Sequence, residues 1–295
     1  MKVAVVSDSN SGITQNESKE LGIKIVPMPF TIDGEEYFED INLTQEEFYD
    51  KLLGDASVST SQPSIGFVMN MWDEILKDYD QIVYIPMSSC LSESCSAAKR
   101  IAEAEYKGKV FVVDNQRISI TQRRSVMDAI ELVNKGYDAE KIYNILMEVK
   151  MQSDIYIMVD TLKYLRKGGR ITPAAAAFGG LLKIKPVLRI FGEKLDKYSM
   201  MNRTLPNAKR IMIKATKSSI EGFLKEIDGR IDNVRIDVAY TGTDRSVAEE
   251  FVSMIKEEFD IKTPMLCNPL SLSVSCHIGD GALAIAVTKE LPQNI

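Results

Sequence analysis

QIVYIPMSSCLSESCSAAKRIAEAEYKGKVFVVDN, residues 81–115, holds one complete strand–helix–strand repeat. Its two ends, QIVYIPMS (81–88) and KVFVVDN (109–115), are short apolar runs that finish in polar residues. A strand covered on both faces reads this way, because it has no solvent side to impose alternation. Between them SESCSAAKRIAEAEY (92–106) has a helical pattern. Working outward, KVAVVSD (2–8) is another buried strand, and IKIVPMPFTIDGEEY (23–37) is a strand followed by a turn at Asp33-Gly34. TQEEFYDKLL (44–53) starts with Thr44 as N-cap and acids in its first turn, which are helix start signals. Val68, Trp72, Ile75 and Leu76 share one helical face, and 118–135 and 139–150 read as two further helices. Repeated strand–helix alternation predicts an α/β domain over residues 1–152, with a mostly parallel sheet covered by helices.

The pattern changes near residue 151. DIYIMVD (154–160) is a strand, and TLKYLRKGGRI (161–171) a short helix stopped by Gly168-Gly169. TPAAAAFGGLLKI (172–184) reads as a small apolar helix, and KPVLRIFGEKLDKYSMMNRT (185–204) as a hairpin around Gly192. Helices over 205–227 and 244–258 flank the strand VRIDVAYTG (234–242), and GDGALAIAVT (279–288) gives the last strand. Antiparallel pairs beside crossovers predict a second α/β domain with a mixed sheet over residues 153–295.

The bulk numbers exclude several classes. A hydrophobic fraction of 45% is that of an ordinary globular protein. A net charge of −6 argues against nucleic acid as a main partner, since phosphate binding needs a basic excess. The N-terminus MKVAVVSDSNSG turns polar too soon for a signal peptide, and no apolar run is long enough to span a membrane. These features predict a cytoplasmic protein. Cys90, Cys95, Cys267 and Cys276, even with His277, lack the spacing of a zinc site, so no metal is expected. The chain has no phosphate-binding glycine loop, no dinucleotide fingerprint and no G-x-S-x-G elbow. Its only histidine is His277, so any serine–histidine chemistry must run through that residue.

Two hydroxyl clusters stand out instead. STSQPSIG (59–66) and SSCLSESC (88–95) each sit where a strand or loop hands over to a helix. Ser and Thr are ordinary N-caps, and capping alone accounts for one such cluster. Two clusters at the carboxyl ends of strands also make a seat for a small anion such as a carboxylate. Asp8 and Ser9, at the end of the first strand, point at the same rim. The apolar run from Ala174 to Ile184 is either core helix or the wall of an acyl tunnel, with Ala174, Phe178, Leu181, Leu182 and Ile184 as candidate contacts.

TSQPS (60–64), SSCLS (88–92), LKYLRKGGRI (162–171), IKPVL (184–188), NRT (202–204) and HIGDGALAIA (277–286) occur in an order and spacing that resemble the DegV family. The resemblance covers nearly the whole chain, from SDSNSGI (7–13) to the last strand. Such proteins are similar to the fatty-acid-binding subunits of bacterial fatty acid kinase. The resemblance implies a two-domain α/β protein that buries a long-chain fatty acid between its domains and catalyses nothing itself. A separate ATP-dependent fatty acid kinase would make the acyl phosphate, for phospholipid synthesis. The resemblance puts the fatty-acid carboxylate on Thr60, Ser61 and Ser92, with Arg170 and His277 near the head group and Arg203 facing the kinase. It implies no cofactor other than the bound lipid.

The chain departs from that pattern in several places. Glu93-Ser94-Cys95 stands where the family has Gly-Thr-Tyr, Asn115 where serine is usual, Thr121 and Arg123 where glycines are usual, and Asp280 for a proline. Two other readings of the same residues stay open. One is an acyl or phosphoryl transferase using His277 with Ser92 or Ser61. The other is a binder of some other small carboxylate.

Overall fold

Every residue of the first strand, β1 (Val3–Asp8), is buried, so helices must cover both of its faces. The computed structural model describes residues 1–54, 56–180, 184–192, 194–224, 233–261 and 264–292. In chain order the remaining strands are β2 (Lys24–Val26), β3 (Phe30–Ile32), β4 (Glu35–Tyr37), β5 (Val58–Thr60), β6 (Gln81–Ile85) and β7 (Val110–Val112). They continue with β8 (Ser153–Met158), β9 (Val187–Ile190), β10 (Asp196–Ser199), β11 (Val234–Tyr240), β12 (Cys267–Pro269) and β13 (Leu283–Lys289). The helices are α1 (Gln15–Glu20), α2 (Gln45–Leu53), α3 (Ile65–Ile75), α4 (Glu93–Glu105), α5 (Ser119–Asn134) and α6 (Ala139–Glu148). After them come α7 (Lys163–Gly168), α8 (Pro173–Ala176), α9 (Leu205–Leu224), α10 (Ser246–Phe259) and α11 (Leu272–Ile278).

The first sheet has the order β2-β1-β6-β7 and is parallel throughout. Ala4 and Val6 of β1 pack with Trp72 of α3 and Ala98 of α4. Val3 and Val5 point the other way and pack with Val126 of α5 and Ile142 of α6. The two-residue side-chain period of a strand thus assigns one helix pair to each face. Beside this sheet β3, β4 and β5 form a small antiparallel sheet, with β3 in the middle. The expected turn at Asp33-Gly34 closes its hairpin, with φ of 50° and 90° as a two-residue type I′ turn requires. What reads along the chain as one strand before that turn is two, β2 and β3, in different sheets. Thr44 caps α2 and forms a capping box with Glu47.

The second sheet is mixed, with the order β10-β9-β8-β13-β11-β12, and only the β11–β12 pair is parallel. Its back face, including Ile236, Val238, Ile285 and Val287, packs on Met212 of α9 and Phe251 of α10. The front face turns towards the first half of the chain. Arg124 of α5 reaches it and meets Asp237 of β11 through two hydrogen bonds of 2.8 Å. Four elements had no counterpart in the sequence reading: α1, β5, β12 and the buried helix α11. The run 172–184, read as one helix, is a single α-turn, α8, followed by a tighter 3-10 turn over Ala177–Gly180. Among the described residues no helix is long and apolar enough to cross a membrane.

Candidate ligand-binding site

The front face of the mixed sheet is built from alternate residues. On β13, Ala284 and Ala286 face forward while Leu283, Ile285 and Val287 face back. Ala284 lies opposite Ala239 of β11 and Ile157 of β8, and Ala286 lies opposite Ile155. Small side chains along the middle strand, flanked by isoleucines, leave a trough. The first half of the chain roofs it, giving a cavity of about 310 Å³, in the size range of small-molecule sites. The forward alanines form the floor, and Leu165, Leu270, Val274 and Ile278 close the sides. Ile118, Ser119 and Ile120 all line it as well. Ser119 has a φ of 54°, in the left-handed region, which breaks the helical period and turns three consecutive residues to the same wall. Cross-strand from Ala286 the front face carries Asp237, which is taken up by Arg124.

Several polar residues of the cavity gather around His277. Thr60 is the last residue of β5, and its Oγ1 lies 2.8 Å from Nε2 of His277, in the last turn of α11. Burial and the positive charge of Arg170 lower the His277 pKa to about 4, so the ring is neutral at pH 7. Gly168 makes that position available: a Cβ there would stand 2.1 Å from His277 Nδ1. The helix α7 then ends at Gly169, whose φ of 69° is the left-handed turn that glycine accepts without cost. Arg170 donates from Nε to the Leu91 carbonyl at 3.2 Å and from Nη1 to the Gly168 carbonyl. No carboxylate among the described residues pairs with it. Its charge therefore remains in the pocket, held in place by backbone.

Ser92 is a helix cap and a cavity residue at once. It caps α4, accepting the Ser94 N–H at 3.3 Å, and it also lines the cavity. Ser61 lines the mouth and is exposed, as is Glu93. The structure thus brings Thr60, Ser61, Ser92, Arg170 and His277 to one end of one cavity. Asp8 is buried and has a raised pKa for that reason; it accepts the N–H groups of Met87 and Asn10 and the Gln122 amide, binding strand ends together. The other departures from the family pattern hold up α5. Thr121 hydrogen-bonds the backbone of Ile118, Arg123 pairs with Glu17, and Asn115 donates to Ser125 at 2.6 Å. Asp280 is half-buried and outside the cavity lining.

Three of the residues expected in a tunnel wall lie off this cavity. Ala174 is exposed, while Phe178 and Ile184 are half-buried, and none of the three lines the cavity. The reason is local: a four-residue helix cannot present a continuous wall, and Phe178 packs from outside against the core that contains Ile155 and Ile157. Leu181 and Leu182 lie outside the described residues. Arg203 is exposed, between β10 and α9 and off the cavity. Sequence reasoning missed the forward alanines, although the large–small alternation of LAIAV in β13 carries that signal. It also missed Asn10, Ser119 and Ser273, polar residues on the cavity wall. The four cysteines are free thiols, and burial pushes Cys276 up to about 12.

Comparison with known proteins agrees in fold and in extent. The DegV family, described as "Uncharacterised protein, DegV family", matches residues 2–290. A DegV domain-containing protein of Staphylococcus aureus is 33% identical over 236 residues, covering 78% of this chain and 82% of its own. The structure titled as fatty acid binding of a DegV family protein from Thermus thermophilus superposes with a TM-score of 0.87 at 27% identity, covering 98% of this chain and all 100% of that one. The structure of DegV, a fatty acid binding protein from Bacillus subtilis, gives 0.81 at 27% identity, with 98% and 100% coverage. With a family match that spans almost every residue and a shared α/β fold, this chain belongs to the DegV family.

Proposed function

We propose that this protein binds a long-chain fatty acid, with the carboxylate at Thr60, Ser61 and Ser92 and the hydrocarbon over the alanines of β13 and β11. The observation that carries the reading is the division of the cavity. Neutral donors collect around His277 with Arg170 beside them, and most of the remaining wall is apolar apart from Asn10, Ser119 and Ser273. The fatty-acid-binding titles of the Thermus and Bacillus neighbours support the same reading.

The chemistry follows from the neutral donors at the head-group end, with the Arg170 guanidinium held aside by the Leu91 and Gly168 carbonyls. Hydrogen bonds to a charged acceptor are each worth about 1.5–3 kcal/mol net. When His277 Nε2 donates to Thr60 Oγ1, the Thr60 hydroxyl proton is left to point at the carboxylate. Such donors hold the head group without quenching it in an ion pair. The carboxylate stays nucleophilic towards a phosphoryl group brought by a separate ATP-dependent kinase. Arg170, fixed by backbone carbonyls, is placed to meet the arriving phosphate charge. Exposed Arg203 is available to the kinase. Affinity comes from the tail: some fifteen methylenes at about 0.8 kcal/mol each give on the order of 12 kcal/mol gross, and ordering the chain takes back a good part.

The transferase alternative fares worse. A ring lowered to about 4 is a weak base, and its mapped partner is a threonine rather than an orienting carboxylate. Organic extraction of the purified protein followed by mass spectrometry tests the proposal. A long-chain fatty acid in the extract, or stoichiometric uptake of added palmitate or oleate, is expected. A clean extract with no uptake overturns it. Adding ATP and a fatty acid kinase subunit should then yield acyl phosphate only when this protein is present.

A further inference from the structure

The cavity wall carries a hydrogen-bonded polar pair, Asn10 and Ser273, besides the residues gathered around His277. Asn10, in the single turn that follows β1, is 1% exposed and lines the cavity. Its Oδ1 accepts from Ser273 Oγ at 2.6 Å and from Ser271 Oγ at 3.3 Å. Among the described residues its Nδ2 has no partner. Turning the amide over exchanges the two atoms, and then it is the oxygen that is left alone. In either orientation a buried amide keeps one unmet hydrogen-bonding group. Six other buried side-chain atoms among the described residues share that state, and none belongs to a residue lining the cavity.

Ser273 lines the cavity beside Asn10 and precedes His277 by four residues on α11. Four residues of helix advance by about 6 Å, so Ser273 lies roughly one turn along α11 from His277. A plain hydrocarbon passing there leaves the amide unmet. A hydroxyl both donates and accepts, so it satisfies whichever end of the amide is free.

We propose that Asn10, supported by Ser273, forms an interior subsite for a hydroxyl on the acyl chain, so that the preferred ligands are hydroxylated long-chain fatty acids. This rests on the fatty-acid reading above and names the class of acid within it. No bond is made or broken at the subsite.

The test compares palmitic acid with monohydroxypalmitic acids bearing the hydroxyl at successive carbons, each competing with a fluorescent fatty acid on delipidated protein. One positional isomer should bind about tenfold more tightly than palmitate, and its advantage should vanish in Asn10→Leu while palmitate is retained. A flat profile, or palmitate tighter than every isomer, overturns the subsite and leaves fatty-acid binding intact. An advantage that persists unchanged in Asn10→Leu also overturns it. Failure of palmitate and every isomer to bind overturns the fatty-acid reading and the subsite together. Should Asn10→Leu not fold, the isomer profile of the unaltered protein decides, and Ser273→Ala replaces it as the variant expected to reduce the advantage.

Discussion

Gly168→Ala is the smallest change that separates head-group binding from folding. The added methyl would sit 2.1 Å from His277 Nδ1 and 2.8 Å from its Cε1. Ordinary carbon contacts are at about 3.5–4.0 Å, so the ring must move by more than about 1 Å. That displacement breaks the 2.8 Å contact with Thr60 and leaves the Thr60 hydroxyl unaligned. Loss of one hydrogen bond to a carboxylate costs about 1.5–3 kcal/mol, which weakens fatty-acid binding by about tenfold to 150-fold. The backbone is not the obstacle. Gly168 lies within α7 without a left-handed φ, and Ala there gains up to about 1 kcal/mol of helix propensity. Gly169→Ala is the converse control. Its φ is 69° and nothing lies within 4 Å of the added methyl, so it strains the turn by roughly 1–2 kcal/mol and touches no site residue. Urea unfolding and displacement of a fluorescent fatty acid, run on both variants, should therefore give opposite patterns. Gly168→Ala is expected to keep its stability and lose affinity, and Gly169→Ala to do the reverse. Wild-type affinity in Gly168→Ala would refute the role given to the His277–Thr60 contact.

Ala284→Leu puts three more carbons on the trough floor; if they displace about three methylenes of the ligand, long chains lose about 2.4 kcal/mol while shorter acids bind as before, which a chain-length series in the displacement assay reads directly. His277 has a folded pKa of about 4 against an ordinary 6.5, so the unfolded chain binds the extra proton; the stability it contributes is full above 6.5 and is lost as pH falls towards 4, by up to about 3 kcal/mol. Glu39 runs the other way: burial raises it from 4.5 to about 7, its contribution is full below 4.5 and disappears as pH rises through 7, and Glu39→Gln should unfold at higher urea than the parent protein at pH 8. His277→Gln should flatten the acid limb of the same urea-midpoint profile. Arg124→Ala leaves Asp237, which is 2% exposed in its side chain, without its two-point partner and should lower stability by about 3–5 kcal/mol in urea unfolding.

The repeat at 81–115 was readable because everything that shapes it is local. Its strands are short apolar runs, and its helix carries its own cap in Ser92. The same holds for Thr44 and α2, and for the Gly168-Gly169 stop of α7. The helix α11 was not readable, because six of its seven residues are buried. A helix wrapped on nearly all sides has no polar face, so the period that identifies amphipathic helices is missing. The run 172–184 differs for another reason: it is apolar enough for a wall, but its helix is one turn long, which buries Ala175 in the core and leaves Ala174 exposed.

The kind of fold, the two hydroxyl-bearing helix starts and, through the family resemblance, the residues worth watching are legible in the order of the amino acids. Strand and helix periods, caps and turn residues act over a few positions and leave their mark in order along the chain. The tertiary structure decided which of those residues meet and what encloses them. Thr60 and His277 are 217 residues apart and touch only because α11 packs against the small sheet that ends at Thr60. The alternation in β13 says that one side is small, but only its place between β8 and β11, opposite the first half of the chain, makes that side a cavity. Contacts between distant segments depend on how faces pack in three dimensions, and no local pattern records the partner.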